Sequence, residues 1–217
     1  MTHITYLFDP LCGWCYGASA TIKALAAQPG VTVELMPTGL FANADAPRMD
    51  DGFAAYAWAA DQRIAALTGQ PFTDDYRSKV LADRSARLNS GAATLALTAV
   101  AQTAPAREIE ALRAIQSARY VQGRDITDTA TLVQVLGELS LTDAASLLQT
   151  AGPDLLDANR ARIKAAQTLM RRFGVDGVPV LVVDDGQGPR LITSSGIFGD
   201  TALVAKLVRA MPASPSL

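Results

Sequence analysis

The sequence is poor in the residue types that most often bind metal ions. Among its 217 residues there are two cysteines and a single histidine, His3. A zinc site needs about four nitrogen, sulfur or oxygen ligands, and neither a second histidine nor a second cysteine pair is present to supply them. We therefore expect no metal site.

Charged residues and long apolar runs are also scarce. Charged residues make up 18% of the chain, and the formal net charge is −2. Lysine and arginine are scattered, with only Arg171 and Arg172 adjacent, so the basic patch of a nucleic-acid-binding protein is missing. No window reaches the roughly 18 uninterrupted apolar residues that a membrane-spanning helix requires. We expect partners to include neither nucleic acid nor a membrane.

The first residues, MTHITYLF, lack the features of a secretory signal. They contain no cationic stretch, no long apolar run and no small-residue cleavage site. This pattern predicts a cytoplasmic protein. Because that compartment is reducing, it argues against a structural disulfide between the two cysteines.

What the chain does contain is enough apolar sequence for a folded core. Hydrophobic residues make up 49% of the chain, and with 18% charged residues this is the composition of a globular protein. A length of 217 residues suits one large domain or a small domain that carries an insertion.

The apolar pattern changes its period along the chain. HITYLF and VTVELMP have the composition and alternation of strands, and GASATIKALAAQPG between them has helical spacing. From about residue 41 to 150 the pattern is helical throughout. PDLLDANRARIKAAQTLMRRFG then predicts one long helix from Pro153 to Gly174. VPVLVV and RLITSS are predicted strands, and DTALVAKLVRAM a final helix.

These elements predict a discontinuous domain with a helical block inserted into it. Without the block, the order is strand, helix, strand, helix, strand, strand, helix. We expect the outer domain to cover residues 3–40 and 153–211 and the inserted helical domain to cover 41–152. Residues 212–217 are expected to be a frayed tail.

Both cysteines lie in the stretch LFDPLCGWCYGAS, which follows a strand and begins a helix. This placement puts Cys12 at a helix N-terminus, where free backbone N–H groups favour a thiolate. Cys15 lies one turn further on and is close enough to attack a mixed disulfide formed on Cys12. Trp14 offers an apolar surface beside the sulfur. A zinc site, two inert core cysteines and a structural disulfide are the alternatives.

A second signal is Pro179, in the stretch FGVDGVPVLVV. A proline at the beginning of a strand removes a ladder donor, so its position there needs a reason. An ordinary trans proline at a strand edge is one explanation, and a binding role beside the dithiol is the other.

Taken together, DPLCGWCYG, FGVDGVPV and the helical block between them resemble the DsbA-like branch of the thioredoxin superfamily. The similarity is to its signal-less FrnE-like proteins and its members of the protein-disulfide isomerase type. It implies an α/β thioredoxin-like fold with an inserted all-helical domain. It also implies that Cys12 and Cys15 are catalytic and that Pro179 is a cis-proline facing them. Val178 would then offer backbone groups to an extended substrate.

Two positions depart from the pattern of that family, and a third bears on proton transfer. DsbA has a histidine where Trp14 stands. Many thioredoxin-like proteins have a buried acid six residues before the first cysteine, where this chain has Tyr6. Asp9 is a candidate for local proton transfer, and its alternative is a turn residue before Pro10.

The resemblance predicts a thiol–disulfide oxidoreductase that needs no cofactor. Its partner would be a client protein or a small-molecule thiol or disulfide, glutathione included. One alternative is a glutathione-dependent transferase or isomerase of the kappa-class type, in which Ser194 and Ser195 would help to hold the tripeptide. Such proteins usually have a serine in place of Cys12. The other alternative is a non-enzymatic peptide-binding module.

Overall fold

A computed structural model describes residues 1–42, 48–199 and 202–209. Strand β1 (Thr2–Phe8) is built from β-branched and aromatic residues and is buried along its length except at His3. A neighbouring strand pairs with each of its edges, which places β1 at the centre of the sheet. The predicted tail, 212–217, and the last residues of the predicted outer domain lie outside the described residues.

The sheet has four strands in the order β2-β1-β3-β4. The other strands are β2 (Val31–Pro37), β3 (Val180–Asp184) and β4 (Arg190–Ile192). β2 is parallel to β1, with Tyr6 opposite Leu35, whereas β3 is antiparallel to β1 and β4 is antiparallel to β3. The end of β1 and the beginning of β3 therefore lie side by side, although about 170 residues separate them in the sequence.

Helices make up most of the rest of the described chain. The α-helices are α1 (Gly13–Gly17), α2 (Ser19–Ala26), α3 (Asp51–Thr68), α4 (Gly91–Thr103), α5 (Glu108–Tyr120), α6 (Thr129–Glu138), α7 (Thr142–Thr150), α8 (Pro153–Phe173), α9 (Ser194–Gly199) and α10 (Leu203–Arg209). A π-helix spans Tyr76–Leu81 and a short 3₁₀ helix spans Pro105–Arg107. None of the helices described is long and apolar enough to cross a membrane.

The long helix α8 begins and ends where the sequence predicts. Pro153 occupies its first turn, where its missing N–H costs no helical hydrogen bond. Gly174 ends it in a left-handed conformation with φ of 64°, which a glycine adopts without the steric cost of a Cβ.

One predicted element is wrong at its end. RLITSS was expected to be a strand throughout, but β4 stops at Ile192, and Ser194 and Ser195 begin α9. The N–H of Ile197 bonds to the carbonyl of Thr193, so the chain turns into a helix directly after the strand. The β-branched residues Ile192 and Thr193 favour a strand locally, and the turn that follows them overrides that preference.

The order of elements confirms the thioredoxin-like frame with a helical insert. Buried residues of the sheet and of the inserted helices form one continuous hydrophobic cluster, which includes Ile4, Leu97 and Ile115. A second cluster, which includes Tyr16, Tyr76 and Tyr120, lies between α1 and the insert. The boundaries of the two domains, at residues 40/41 and 152/153, stay a prediction.

Buried polar groups also join the insert to the sheet. Arg162 of α8 pairs with Glu108 of α5 at 2.6 Å and donates a second hydrogen bond, of 2.9 Å, to the Leu35 carbonyl of β2. Because Glu108 is buried, loss of one partner would leave the other charge uncompensated in a poorly solvated place. This ion pair therefore fixes how α5, α8 and β2 meet.

Substitution of two glycines tests whether the turn at Gly123 packs against Asp75, the residue before the π-helix. Gly123 and Gly174 both have φ of 64°, but a Cβ on Gly123 would lie 2.5 Å from the backbone oxygen of Asp75, whereas one on Gly174 would meet nothing within 4 Å. Gly174→Ala should cost about 1 kcal/mol for the left-handed backbone alone. Gly123→Ala should cost about 1–3 kcal/mol more, because backbone must move.

The measurement is the free energy of unfolding in urea for both variants. Equal losses in the two variants would show that the turn at Gly123 is not packed against Asp75 as described.

Candidate active site

The dithiol lies on the first turn after strand β1. The chain leaves β1 at Phe8, and the N–H of Cys12 bonds to the carbonyl of Asp9 at 3.1 Å, which closes a turn. Cys12 is the N-cap of α1, with an extended backbone, and Cys15 follows within the helix. The predicted strand-to-helix placement of the two cysteines is what the structure has.

The two thiols are free and have different surroundings. Cys12 is 8% exposed and its Sγ donates to the Val178 carbonyl at 3.7 Å, whereas Cys15 is 1% exposed. Burial raises the pKa of the Cys15 thiol well above its usual value, and a hydrogen bond with Cys12 raises it further. Cys12 is therefore the thiol nearer to solvent, and Cys15 is held protonated behind it.

The segment opposite the dithiol contains Val178 and Pro179. The peptide bond between them is cis, and β3 begins at the next residue. Ser194 Oγ donates to the Pro179 carbonyl at 3.2 Å, so α9 and this segment are joined. The structure thus brings both predicted residues to the dithiol, with the Val178 carbonyl in contact with the Cys12 thiol.

Asp9 is fully buried just before the dithiol. One of its carboxylate oxygens accepts a hydrogen bond from the N–H of Leu11, and the other accepts from the N–H of Phe41 and from Ser90 Oγ. Burial raises the pKa of Asp9, and these hydrogen bonds offset part of that effect. Asp9 therefore anchors the loop before Cys12 to the helical block.

Tyr6 stands where related proteins have a buried acid. Its hydroxyl donates to the carbonyl of Cys15 at 3.2 Å, and its ring stacks on Phe8 with the ring centres 5.1 Å apart. Burial raises the pKa of Tyr6 well above its usual value, so the hydroxyl stays neutral and acts as a donor. It holds the helix turn at Cys15 without adding a charge beneath the dithiol.

Trp14 points away from this buried side and lines an apolar groove. It is 36% exposed and its ring lies 5.2 Å from that of Phe198 in α9. The groove has a volume of about 410 Å³, and its other lining residues are Leu67, Ser194, Ser195, Phe198 and Gly199. Leu67 and Phe198 are groove residues that the sequence interpretation missed, because each lies far from the cysteines along the chain.

A buried polar and aromatic cluster, also missed, lies on the other side of the dithiol. It comprises Asp61, Tyr76, Arg119 and Tyr120, and we call it the acid–arginine cluster. The Tyr120 hydroxyl donates to the carbonyl of Leu11 at 2.8 Å. A sequence signal was present at Asp61, which is a charged residue in an alanine-rich helix, three positions before the buried Ile64. Without the fold, nothing connects that acid to Cys12.

Fold and site together define a thioredoxin-like protein with two free cysteines at the first turn of a helix. Within the described residues, no group of three or more His, Cys, Asp or Glu side chains is arranged to hold a metal ion. Comparison with protein families is consistent with this class. Residues 3–203 match the DSBA-like thioredoxin domain, so the chain belongs to that family, which is one of thiol–disulfide oxidoreductases.

Solved structures include a similar protein from Pseudomonas aeruginosa, the cytosolic disulfide reductase DsbM. It is 32% identical to this chain, with 94% of this chain and 96% of DsbM covered and a TM-score of 0.83. DsbM with glutathione gives the same identity and coverage and a TM-score of 0.81.

A 2-hydroxychromene-2-carboxylate isomerase also shares the fold. It is 18% identical, with 95% of this chain and 96% of the isomerase covered and a TM-score of 0.63. At that identity the likeness concerns the fold alone. No curated protein matches the chain.

The difference in burial between the two thiols predicts a difference in reactivity. In the reduced protein at pH 7, we expect iodoacetamide to alkylate Cys12 at least about tenfold faster than Cys15, because burial keeps Cys15 protonated and covered. Mass spectrometry of peptides after timed quenching gives both rates.

Single variants provide the control. Cys15→Ser should keep the fast labelling and Cys12→Ser should lose it. Equal rates in the parent, or faster labelling of Cys15, would reverse the assignment of the two thiols.

Proposed function

We propose that this protein reduces disulfides of client polypeptides through Cys12 and Cys15. The observation that carries the proposal is the pairing of two free thiols of unequal exposure, 8% at Cys12 and 1% at Cys15. The outer thiol is the one that a client can approach, and its more deeply buried neighbour can complete the exchange before a second client arrives.

The reaction has two exchange steps. The Cys12 thiolate attacks one sulfur of the client disulfide, so the client S–S bond breaks, a Cys12–client disulfide forms and the first client thiolate leaves. Cys15, after losing its proton, then attacks the Cys12 sulfur and the second client thiolate leaves. The client gains two electrons, and the protein is left with a Cys12–Cys15 disulfide.

Asp9 is the proposed acceptor of the Cys15 proton. Its backbone hydrogen-bonds with Cys15, and the two side chains interact electrostatically. Burial raises the pKa of Asp9, which makes its carboxylate a stronger base for this proton, whereas the raised pKa of Cys15 opposes the transfer.

The client is proposed to bind across Val178, Pro179 and Trp14. The Val178 carbonyl is already within contact of the Cys12 sulfur, so an extended client segment beside it would present its own sulfur to Cys12. The apolar groove at Trp14 and Phe198 suits an apolar client side chain next to the client cysteine.

A small thiol of the glutathione class is the proposed reductant. Two equivalents of thiol would reduce the Cys12–Cys15 disulfide and leave as their own disulfide. The structure of the related DsbM with glutathione supports this choice, and the cytosolic description of DsbM supports a cytoplasmic location here.

A single-turnover experiment tests the proposed reaction. The parent, pre-reduced and freed of reductant, is mixed with one equivalent of a peptide that contains one disulfide, and products are quantified by mass spectrometry. We expect the parent to yield free peptide dithiol and a protein lighter by two hydrogens. Cys15→Ser should stop at the mixed disulfide on Cys12, because no second thiol resolves it.

Cys12→Ser should give neither reduced peptide nor a mixed disulfide, and it serves as the control for direct reaction at Cys15. The other functions predict different results. A glutathione-dependent transferase would give no mixed disulfide with the peptide, and a binding module would retain the peptide without reducing it. Either result contradicts the proposal.

A further inference from the structure

Asp61 of α3 packs directly against the dithiol turn. Its side chain is buried, and a Cβ added to Gly13, the residue between the cysteines that follows Cys12, would overlap Asp61 Oδ1. The carboxyl oxygen therefore occupies the space that a Cβ atom at position 13 would need, and only glycine fits there. Asp61 comes from the inserted helices, so the contact joins the insert to the reactive turn.

The other carboxyl oxygen of Asp61 is tied into the acid–arginine cluster. Tyr76 Oη donates to Asp61 Oδ2 at 2.9 Å. The Arg119 guanidinium lies 5.5 Å from the ring centre of Tyr76 and 5.7 Å from that of Tyr120. Because Tyr120 also donates to the Leu11 carbonyl, the cluster contacts the chain on both sides of Cys12.

The cluster has a net charge that depends on one proton. Arg119 is 3% exposed and its guanidinium is charged at any ordinary pH, and its Nε has no hydrogen-bond partner. When Asp61 is ionised, the two charges cancel. When Asp61 is protonated, the buried Arg119 charge keeps only its electrostatic interaction with the exposed Asp125, so the cluster itself becomes positive.

The proton on Asp61 is exchanged near neutral pH. Burial raises the pKa of Asp61 to about 7, although the hydrogen bond from Tyr76 and the charge of Arg119 lower it in part. The titratable and charged groups that face it are Tyr76 from the π-helix and Arg119 and Tyr120 from α5. On the dithiol turn Asp61 meets Gly13, and the titratable residues next to that glycine along the chain are Cys12, Cys15 and Tyr16.

We propose that Asp61 is a positioning residue that sets the reactivity of Cys12 through the charge of this cluster. Protonated Asp61 lets Arg119 stabilise the Cys12 thiolate, and ionised Asp61 cancels that effect. Tyr120 bonds to the carbonyl of Leu11 and Asp61 packs against Gly13, so the cluster contacts both chain neighbours of Cys12. The inference rests on the proposed function, since it concerns the thiolate that attacks the client.

The test compares the rate of Cys12 alkylation with and without an ionisable group at position 61. Both proteins also carry Cys15→Ser, so that Cys12 is the only thiol that can be alkylated. At pH 5.5 Asp61 is protonated, and Asp61→Asn should alkylate at the parental rate. Above pH 7 the parent carries the extra negative charge, so Asp61→Asn should alkylate faster, by roughly threefold at pH 8.5. The ratio of the two rates should change near pH 7.

Tyr76→Phe gives a second, independent variant. It removes the hydrogen bond that lowers the pKa of Asp61, so the carboxyl should ionise at a higher pH. The slowing that Asp61 causes in the parent should accordingly begin at higher pH. If Asp61→Asn does not fold, the comparison of Tyr76→Phe with the parent decides. An alkylation rate that depends on pH in the same way in both proteins overturns the inference.

Asp51→Asn is the matched control, since Asp51 lies on the same helix with its side chain 93% exposed. It should leave the pH dependence of Cys12 alkylation unchanged.

The decisive quantity is the alkylation rate of Asp61→Asn divided by that of the parent. If this ratio is the same at every pH, Asp61 has a structural role only, and the inference is overturned. That result leaves the proposed function intact if the parent reduces a peptide disulfide. Conversely, a parent that reduces no disulfide contradicts the proposed function, while the alkylation profile still reports on Asp61.

Discussion

The hydrogen bond from Tyr120 to the carbonyl of Leu11 joins the inserted helices to the residue before the first cysteine. A turn that follows a strand has few backbone bonds of its own, so contacts from outside decide its conformation. Here they come from two sides: Tyr120 and Asp61 from the insert, and Tyr6 from the sheet, whose hydroxyl holds the Cys15 carbonyl. The inserted helices thus help to fix the conformation of the reactive turn.

Burial explains why the groups around the dithiol differ in charge. Cys15, Tyr6 and Tyr120 are buried and their pKa values are raised, so they remain neutral. Asp61 has a pKa of about 7, which places its proton exchange in the range where thiol chemistry operates. The proposed client contacts lie on the opposite, more open side, at Trp14 and the groove beside it. In this proposal, control of the sulfur and recognition of the client are assigned to different sides of the site.

Local pattern was sufficient to predict the frame and the position of the cysteines. β-Branched and aromatic composition predicted β1, alternation predicted β2, and Pro153 and Gly174 bounded α8, because these signals act over a few residues. The acid–arginine cluster could not be predicted in this way. Asp61 and Arg119 lie on different helices, and only the packing of those helices makes an isolated polar residue in an apolar pattern a neighbour of Cys12. The same limit applies to the end of β4, where a turn overrides a strand preference.

The most direct test of the account is equilibration of the protein with glutathione buffers of graded redox poise, with the products trapped by acid and weighed by mass spectrometry. If Cys12 and Cys15 act as a pair, reduced protein should convert to a species two hydrogens lighter in a single transition. The ratio of oxidised to reduced protein should change tenfold for every ~30 mV of buffer potential, as it does for a two-electron couple. Accumulation of glutathione on Cys12, with no intramolecular disulfide at any poise, would contradict the account.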